Sequence, residues 1–230
     1  MAKPFEFSVS ATMDVTSASV WLDSIRRLED LGFSAVVMPD HFTDGYALEP
    51  MVALTAAAGV TSTLRLQTGV LGNDYRHPVL TARMAASLDV LSGGRFILGL
   101  GAGWMTSDYE AAGIALDGAG VRLRRLEESV RVIRGLLAGE TVSHQGEFWD
   151  IHLELLPRTV QQPVPVLLGG GGPRMLRLAG RGADIVSVVA NLGAGALGQH
   201  TITDLSAERV AEKVAPSASD ATSVSTSLPV

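Results

Sequence analysis

The sequence predicts an α/β fold in which βαβ units build a parallel sheet. Two observations lead to this prediction. Short apolar runs without polar alternation, typical of parallel strands covered on both faces, recur along the chain. Amphipathic or Ala-rich helical segments separate these runs. Repetition of this kind fits a doubly wound sheet or a (β/α)8 barrel, and the spacing alone leaves both architectures open.

The composition limits the class of protein before any motif is considered. The chain has 230 residues, of which 47% are hydrophobic and 18% are charged. This apolar content supplies a core and rules out disorder for most of the chain. The net charge of −6 argues against a nucleic-acid partner. With no cysteine in the chain, disulfides and thiolate metal sites are excluded.

Membrane and metal signals are absent from the sequence. No run of about 18 apolar residues is present, so we expect no transmembrane helix and no membrane partner. The first residues lack the apolar segment of a signal peptide, which predicts a cytoplasmic protein. The five histidines show no ligand spacing, and we expect no metal site.

The predicted elements follow one another in order. The strands share a short apolar run and cover residues 5–9, 35–38, 65–70, 96–100, 166–168 and 185–189. The helices are marked by i, i+3, i+4 apolar spacing, a Pro in the first turn or a Gly at the end. They cover residues 20–31, 51–60, 78–91, 123–137 and 174–179.

Two segments depart from this repetition. Residues 141–155 predict a hairpin that turns at Gln145-Gly146. Residues 191–230 are rich in Gly, Ala, Ser and Thr, which predicts an irregular, partly disordered tail with one short helix over 207–214. We therefore assign residues 1–190 to one domain with a hairpin insertion and residues 191–230 to a tail.

One glycine pattern imitates a dinucleotide-binding fingerprint. Gly99, Gly101 and Gly103 follow the strand at 96–100. The fingerprint needs a further Gly where Trp104 stands and a helix that begins at once. Both requirements fail, so we interpret these glycines as positions where the chain turns closely over a strand end.

A second glycine run is a better candidate for anion binding. Residues 169–172 are all Gly, and Pro173 and a helix follow them. Converging amides and the positive end of a helix favour a bound anion there. Arg174 adds a positive charge that the helix dipole alone would disfavour. The alternative is a flexible loop with a solvated arginine.

A histidine at a strand end is the third candidate for a functional residue. His41 follows Pro39-Asp40 directly after the predicted strand at 35–38. In that position an imidazole can exchange a proton with a ligand at the strand ends. The alternative is that Asp40 organises the turn and His41 is an ordinary half-buried polar residue.

Seven segments together resemble the bacterial luciferase-like monooxygenase superfamily, and its F420-dependent branch in particular. They are LGFSAVVMPDHF at 31–42, RLQTGV at 65–70, RHP at 76–78, LDVLSGGR at 88–95, LGLGAGW at 98–104, LLPRTVQ at 155–161 and GGGGP at 169–173. The resemblance spans about residues 5–190. It implies a (β/α)8 TIM-type barrel, in which ligands lie at the carboxyl ends of the strands.

The resemblance also implies roles for single residues. His41 matches a catalytic histidine near the reactive deazaflavin ring. Gly69-Val70 matches a third-strand bulge behind that ring, often with a cis peptide. The sequence motifs and the resemblance together give these candidate cofactor-binding residues: Asp40, Gly69, Val70, Asn73, Gly101, Trp104, Gly170, Gly171, Gly172 and Arg174. The implied cofactor is coenzyme F420, with FMN as the alternative.

The function that this implies is hydride transfer between F420 and a small organic substrate. The alternatives are an FMN-dependent monooxygenase of the same fold and a non-catalytic or defective cofactor-binding homologue. The family continues through two further βα units after the strand at 185–189, and these are expected to be missing here. A barrel truncated after about six βα units exposes its edges, which predicts a homo-oligomer.

Overall fold

The fold is a parallel sheet with helices between successive strands, as seen in a computed structural model that describes residues 5–11, 15, 17–43, 45–154, 158–217 and 223–226. The strands are β1 (Ser8–Ser10), β2 (Ala35–Met38), β3 (Arg65–Thr68), β4 (Leu71–Gly72), β5 (Phe96–Gly101), β6 (Val142–Gln145), β7 (Asp150–Leu153), β8 (Val166–Gly170), β9 (Ile185–Val188) and β10 (Ser223–Thr226). The helices are α1 (Ala18–Asp30), α2 (Pro50–Ala58), α3 (Pro78–Ser92), α4 (Thr106–Ala112), α5 (Ala119–Leu137), α6 (Pro173–Gly182), α7 (Gln199–Thr203) and α8 (Ala207–Ser217).

The main sheet grows by one neighbouring strand at a time. Its order is β1-β2-β3-β5-β8-β9-β10, with every pair parallel, and β4 continues the pairing beside β5. No ladder joins β1 to β10 among the described residues, so the sheet is open there. This progression is that of a barrel rather than a doubly wound sheet, and it confirms the expected truncated barrel.

The strands carry apolar side chains on both faces because helices and the barrel interior cover them. All six residues of β5 are buried, as are the first three of β8. Phe96, Leu98 and Leu168 belong to the resulting core. None of the helices in the described ranges combines the length and apolar character that a membrane crossing needs.

The predicted hairpin is present as the antiparallel pair β6–β7. A buried carboxylate, that of Glu128 on α5, accepts hydrogen bonds from the Glu147, Phe148 and Trp149 amides and from His144 Nε2. A Cβ at Gly146 would lie 2.0 Å from Glu128 Oε1, so only glycine allows this approach. Burial raises the pKa of Glu128, but these donors outweigh it and lower the pKa.

The tail differs from the sequence-based expectation. Residues 199–217 form α7 and α8, and β10 pairs in parallel with β9 as a seventh strand along the sheet path. The expected helix at 207–214 is the core of α8, which packs against α6. The irregular tail is therefore wrong for these residues, and β10 is a seventh strand where none was expected. Residues 218–222 and 227–230, included in the same expectation, lie outside the described residues.

The carboxylate of Glu29, in the last turn of α1, joins this helix to the turn before β3. Glu29 accepts hydrogen bonds from the amides of Ser62, Thr63 and Leu64 and from the Thr63 hydroxyl, at 2.6–3.2 Å. Burial raises the pKa of Glu29, but these hydrogen bonds outweigh it and lower the pKa from 4.5 to about 2. The folded protein therefore stabilises the ionised form of the Glu29 carboxylate.

The stability that Glu29 provides is expected to depend on pH. Because the folded-state pKa lies below the unfolded value, this contribution is complete above pH 4.5 and is lost as the pH falls towards 2. Glu29→Gln should lower the urea midpoint clearly at neutral pH and much less near pH 2. The exposed neighbour variant Asp30→Asn is the matched control. An equal effect of Glu29→Gln at both pH values would contradict this account.

Candidate functional site

The predicted site residues gather at one end of the sheet. His41 follows β2, Asn73 follows β4, Trp104 follows β5 and Gly171 follows β8. Since these strands are parallel, their carboxyl ends lie at one edge, which here is the barrel mouth. The rings of His41 and Trp104 confirm the proximity, with their centroids 5.6 Å apart.

His41 is held at the mouth by three side chains. Its Nδ1 lies 2.6 Å from Oδ2 of Asp108, a carboxylate with 0% exposure. The ring of Tyr46 lies 4.7 Å away by centroid, and Trp104 meets the imidazole edge-on. Asp108 Oδ1 also accepts the Phe42 amide at 3.0 Å. The imidazole is therefore restrained in position and orientation, and its Nε2 has no partner in the described part of the chain.

Asp40 lies behind the mouth rather than offering a free oxygen to it. Arg76 donates to both carboxylate oxygens, from Nη1 at 2.5 Å and from Nη2 at 2.9 Å. The Gly72 amide donates to Oδ2 at 2.9 Å. Arg76 also donates to Glu49. Asp40 therefore ties the end of β2 to β4, which is a supporting role for the site.

Glycines surround the Val70 side chain and make room for it. The Gly69–Val70 peptide is cis, as the resemblance implies. A Cβ at Gly101 would lie 2.7 Å from Val70 Cγ2, and one at Gly169 would lie 3.0 Å from Val70 Cγ1. At Gly69 a Cβ would lie 2.1 Å from Val37 Cγ1. Glycine is thus required around Val70 for packing reasons.

Asn73 brings an unsatisfied donor to the mouth. Its side chain is only 5% exposed, yet Nδ2 has no hydrogen-bond partner among the described residues. Such a buried donor costs about 1–3 kcal/mol when left unpaired. A ligand acceptor at this position would remove that cost, so Asn73 fits a ligand-binding role.

The glycine loop leads into a helix that has no side-chain cap. Gly172 is the N-cap of α6 and offers no hydrogen bond to the first-turn amides. Those amides are available to an anion. A Cβ at Gly170 would lie 2.3 Å from Met175 Cγ, and one at Gly171 would lie 2.2 Å from the Ala190 carbonyl oxygen. Larger residues at 170 and 171 would therefore disturb the loop.

A cleft of about 180 Å³ adjoins this loop. Arg177 lines it, whereas the predicted Arg174 is exposed and does not. Lys213 on α8 also lines the cleft, where its ammonium donates to Asp204 and to the Val189 carbonyl. Asp204 and Glu212 also line the cleft and pair with Arg209 and Lys213, so the charges beside the loop are mixed.

Three aromatic rings, those of Phe42, Tyr75 and Tyr109, pack in series next to His41. Phe42 and Tyr75 lie 4.7 Å apart by centroid, and Tyr75 and Tyr109 lie 5.3 Å apart. The Tyr109 hydroxyl donates to Asp74. Burial, reinforced by the charge of Asp108 and other carboxylates, raises the pKa of Tyr75. Its phenol therefore stays protonated at neutral pH.

Three residues of the site were not found from the sequence: Asp108, Arg76 and Tyr46. Asp108 lies one turn after Trp104, in the short helix α4, which carries no apolar periodicity that would mark it in the sequence. Arg76 lies within a segment used for the resemblance, but its partner Asp40 is 36 residues away. The sequence feature that could have indicated Asp108 and Arg76 is their position as charged residues shortly after the carboxyl ends of strands.

A match over nearly the whole chain decides the family. The family model described as luciferase-like monooxygenase matches residues 5–230. The chain belongs to the luciferase-like monooxygenase family. One relative of this luciferase-like protein is the F420-dependent glucose-6-phosphate dehydrogenase of Kineococcus radiotolerans, with 32% identity over 188 residues. The match covers 79% of this chain and 56% of that dehydrogenase, so this chain spans little more than half of its length.

Solved structures of the luciferase-like fold agree with the architecture. Monooxygenase RslO1 from Streptomyces bottropensis has a TM-score of 0.77 and 26% identity, over 95% of this chain and 66% of that chain. The coenzyme F420-dependent tetrahydromethanopterin reductase from Methanopyrus kandleri has a TM-score of 0.64 and 28% identity, over 81% of this chain and 55% of that chain. The expected family and barrel-type fold are confirmed.

The residues present in this luciferase-like mouth fit a ligand that carries a hydrogen-bond acceptor and an anionic group, as a phosphate-bearing cofactor does. Asn73 Nδ2 is a buried donor without a partner. Gly101 and Gly169 admit the Val70 side chain, whose methyl groups fill the space that a Cβ at either position would need. The uncapped amides of α6 fit an anionic group. Asn73 follows β4 and α6 follows β8, so both features lie at the carboxyl end of the parallel sheet.

Proposed function

We propose that this protein is an F420-dependent oxidoreductase that acts on a small organic substrate. The observation that carries the proposal is the restrained imidazole of His41 at a mouth that also holds an unpaired donor and an uncapped helix. The similarity to a relative named as F420-dependent supports F420 as the cofactor. When bound, the deazaflavin supplies a carbon centre that accepts or donates a hydride.

The chain's own part in this reaction is binding, orientation and proton handling. His41 takes a proton from the substrate oxygen or returns it through Nε2, because Nδ1 is engaged by Asp108. Val70 provides a surface for the ring, and Asn73 donates to an acceptor on the ligand. Gly171, Gly172 and the first turn of α6 hold the phosphate.

An FMN-dependent monooxygenase is the second candidate. Its support is the likeness to the monooxygenase RslO1, with 26% identity over 95% of this chain. The same loop and helix would hold the phosphate of FMN. The two candidates differ in the co-reactant, since a monooxygenase consumes dioxygen and a hydride-transferring dehydrogenase does not.

The reaction itself separates these candidates. Under nitrogen, the protein with oxidised F420 and a panel of alcohols, including glucose 6-phosphate, should bleach the cofactor absorbance with at least one substrate. The parallel assay supplies reduced FMN and air and measures oxygen uptake. Substrate-dependent oxygen uptake with FMN, together with no bleaching of F420, would overturn the proposal in favour of the monooxygenase.

We also propose that the protein forms a homo-oligomer through α2 and α3. These two helices pack against each other, and each leaves large apolar side chains in solvent. Val52 on α2 is 69% exposed and Leu80 on α3 is 56% exposed. Apolar groups on adjacent helices at this exposure are typical of an association surface.

Charges at this surface are expected to dissociate the oligomer. Val52→Glu combined with Leu80→Glu should convert the protein to monomers at micromolar concentration, because two carboxylates would be buried without partners. Analytical ultracentrifugation measures the change. Val20→Glu on α1, a similarly exposed position, is the control and should leave the oligomer intact. A monomeric parent protein would contradict the proposal.

A further inference from the structure

The buried carboxylate of Asp108, which contacts His41 Nδ1, determines which imidazole nitrogen carries the proton. We propose that Asp108 is a positioning residue that holds neutral His41 as the Nδ1–H tautomer, with the Nε2 lone pair as the acceptor facing the substrate. Only the consequence for turnover rests on the proposed function; the tautomer is a property of the chain alone.

The geometry around Asp108 leaves it one role towards the imidazole. An ionised carboxylate accepts hydrogen bonds and donates none, so at 2.6 Å the proton between the two groups belongs to Nδ1. The other oxygen, Oδ1, is already engaged by the Phe42 amide at 3.0 Å. The carboxylate therefore cannot rotate to release His41 without abandoning a backbone donor.

The burial of Asp108 and two ring contacts to His41 keep this arrangement in place. Asp108 has 0% exposure, so water does not compete for its oxygens. Tyr46 and Trp104 border the imidazole and restrict the rotation that would turn Nδ1 away from Asp108. A neutral imidazole has one donor and one acceptor, so a proton on Nδ1 makes Nε2 the acceptor.

The arrangement determines the direction of proton movement from the resting state. The O–H bond of a substrate hydroxyl breaks and an N–H bond forms at Nε2. The imidazolium that results keeps its Nδ1 hydrogen bond, and the Asp108 carboxylate balances its charge. A substrate group that can only accept would meet a lone pair instead. The pair therefore selects a hydroxyl-bearing substrate in the resting state.

The tautomer can be measured without cofactor or substrate. Nitrogen NMR of histidine-labelled protein, at a pH where the imidazole is neutral, distinguishes protonated from unprotonated Nδ1 and Nε2. The His41 signals are assigned by their loss in His41→Asn. We expect Nδ1 to be protonated and Nε2 to be unprotonated in the parent. A protonated Nε2 in neutral parent protein would overturn the inference outright.

Two substitutions at Asp108 should change the tautomer in different ways, and a third substitution is the control. In Asp108→Asn the Phe42 amide retains the side-chain oxygen, so the new NH2 group faces Nδ1 and should invert the tautomer. In Asp108→Ala the imidazole is released and should relax to a mixture. Asp74→Asn removes another buried carboxylate, one bound to Tyr109 and Arg125, and should leave His41 unchanged.

Turnover then separates this inference from the proposed function. Asp108→Asn should lower kcat by about 10²–10⁴-fold with little change in KM, because the wrong nitrogen carries the proton. An inverted tautomer with unchanged turnover would refute the role of His41 in the reaction while leaving the positioning by Asp108 intact. An unchanged tautomer in both Asp108 variants would refute the positioning itself.

Discussion

Replacing His41 by alanine is expected to lower hydride transfer by about 10²–10⁴-fold, the usual contribution of a positioned acid or base. The substitution removes the only group at the mouth for which we propose proton exchange. It also leaves Asp108 buried with one donor instead of two, which will reduce stability. Transfer rates should therefore be measured below the unfolding transition of the variant.

A second variant and a control separate chemistry from folding. His41→Asn keeps an N–H donor near Asp108 but has no group that can carry a proton, so it should fold better than His41→Ala and be equally slow. His152→Ala changes a histidine on β7 whose side chain is 67% exposed and should have no effect. Parent-like rates in His41→Asn would remove His41 from the proton-transfer step.

An aspartate at the N-cap of α6 is expected to weaken cofactor binding by about 10²-fold or more. Gly172 is the suitable position because its Cβ would approach nothing closer than Asn191 Oδ1 at 3.8 Å, whereas Gly171 has no room. Its φ of −83° also suits an ordinary residue. The new carboxylate would lie where the phosphate is proposed to bind, and like charges about 4 Å apart repel by about 4 kcal/mol in a partly buried site.

The effect on the helix should have the opposite sign. Asp is a good N-cap residue, so Gly172→Asp should maintain or slightly raise the melting temperature. Gly172→Asn supplies a similar cap without the charge and is the matched control. Weakened binding in the aspartate variant alone supports a phosphate at this loop. Equal cofactor affinity in the parent and in both variants would place the phosphate elsewhere.

The sequence predicted the regular part of the fold because apolar periodicity encodes it. Strands at 35–38, 96–101 and 185–188 were found within one residue of their observed ends. The strand β10 was missed because Ser223–Thr226 contains one apolar residue and its place is decided by backbone pairing with β9. Pairing with a distant strand leaves no periodic signal in a short polar segment.

The location of the site was predictable, but its internal contacts were not. The strand ends of a barrel converge, so His41, Asn73 and Trp104 could be placed at one mouth from their positions in the chain. The partnership of His41 with Asp108 joins residues 67 apart in the sequence. Which acid meets which base depends on packing at that mouth, and spacing does not encode it.

The central claim is that the mouth binds F420, and competitive binding tests it most directly. The protein freed of any bound cofactor is titrated with oxidised F420 and, separately, with FMN, and tryptophan fluorescence reports binding because Trp104 borders the site. We expect saturable F420 binding at least about tenfold tighter than FMN binding, a difference of about 1.4 kcal/mol. FMN binding tighter than F420 binding, or no binding of F420, would contradict the account.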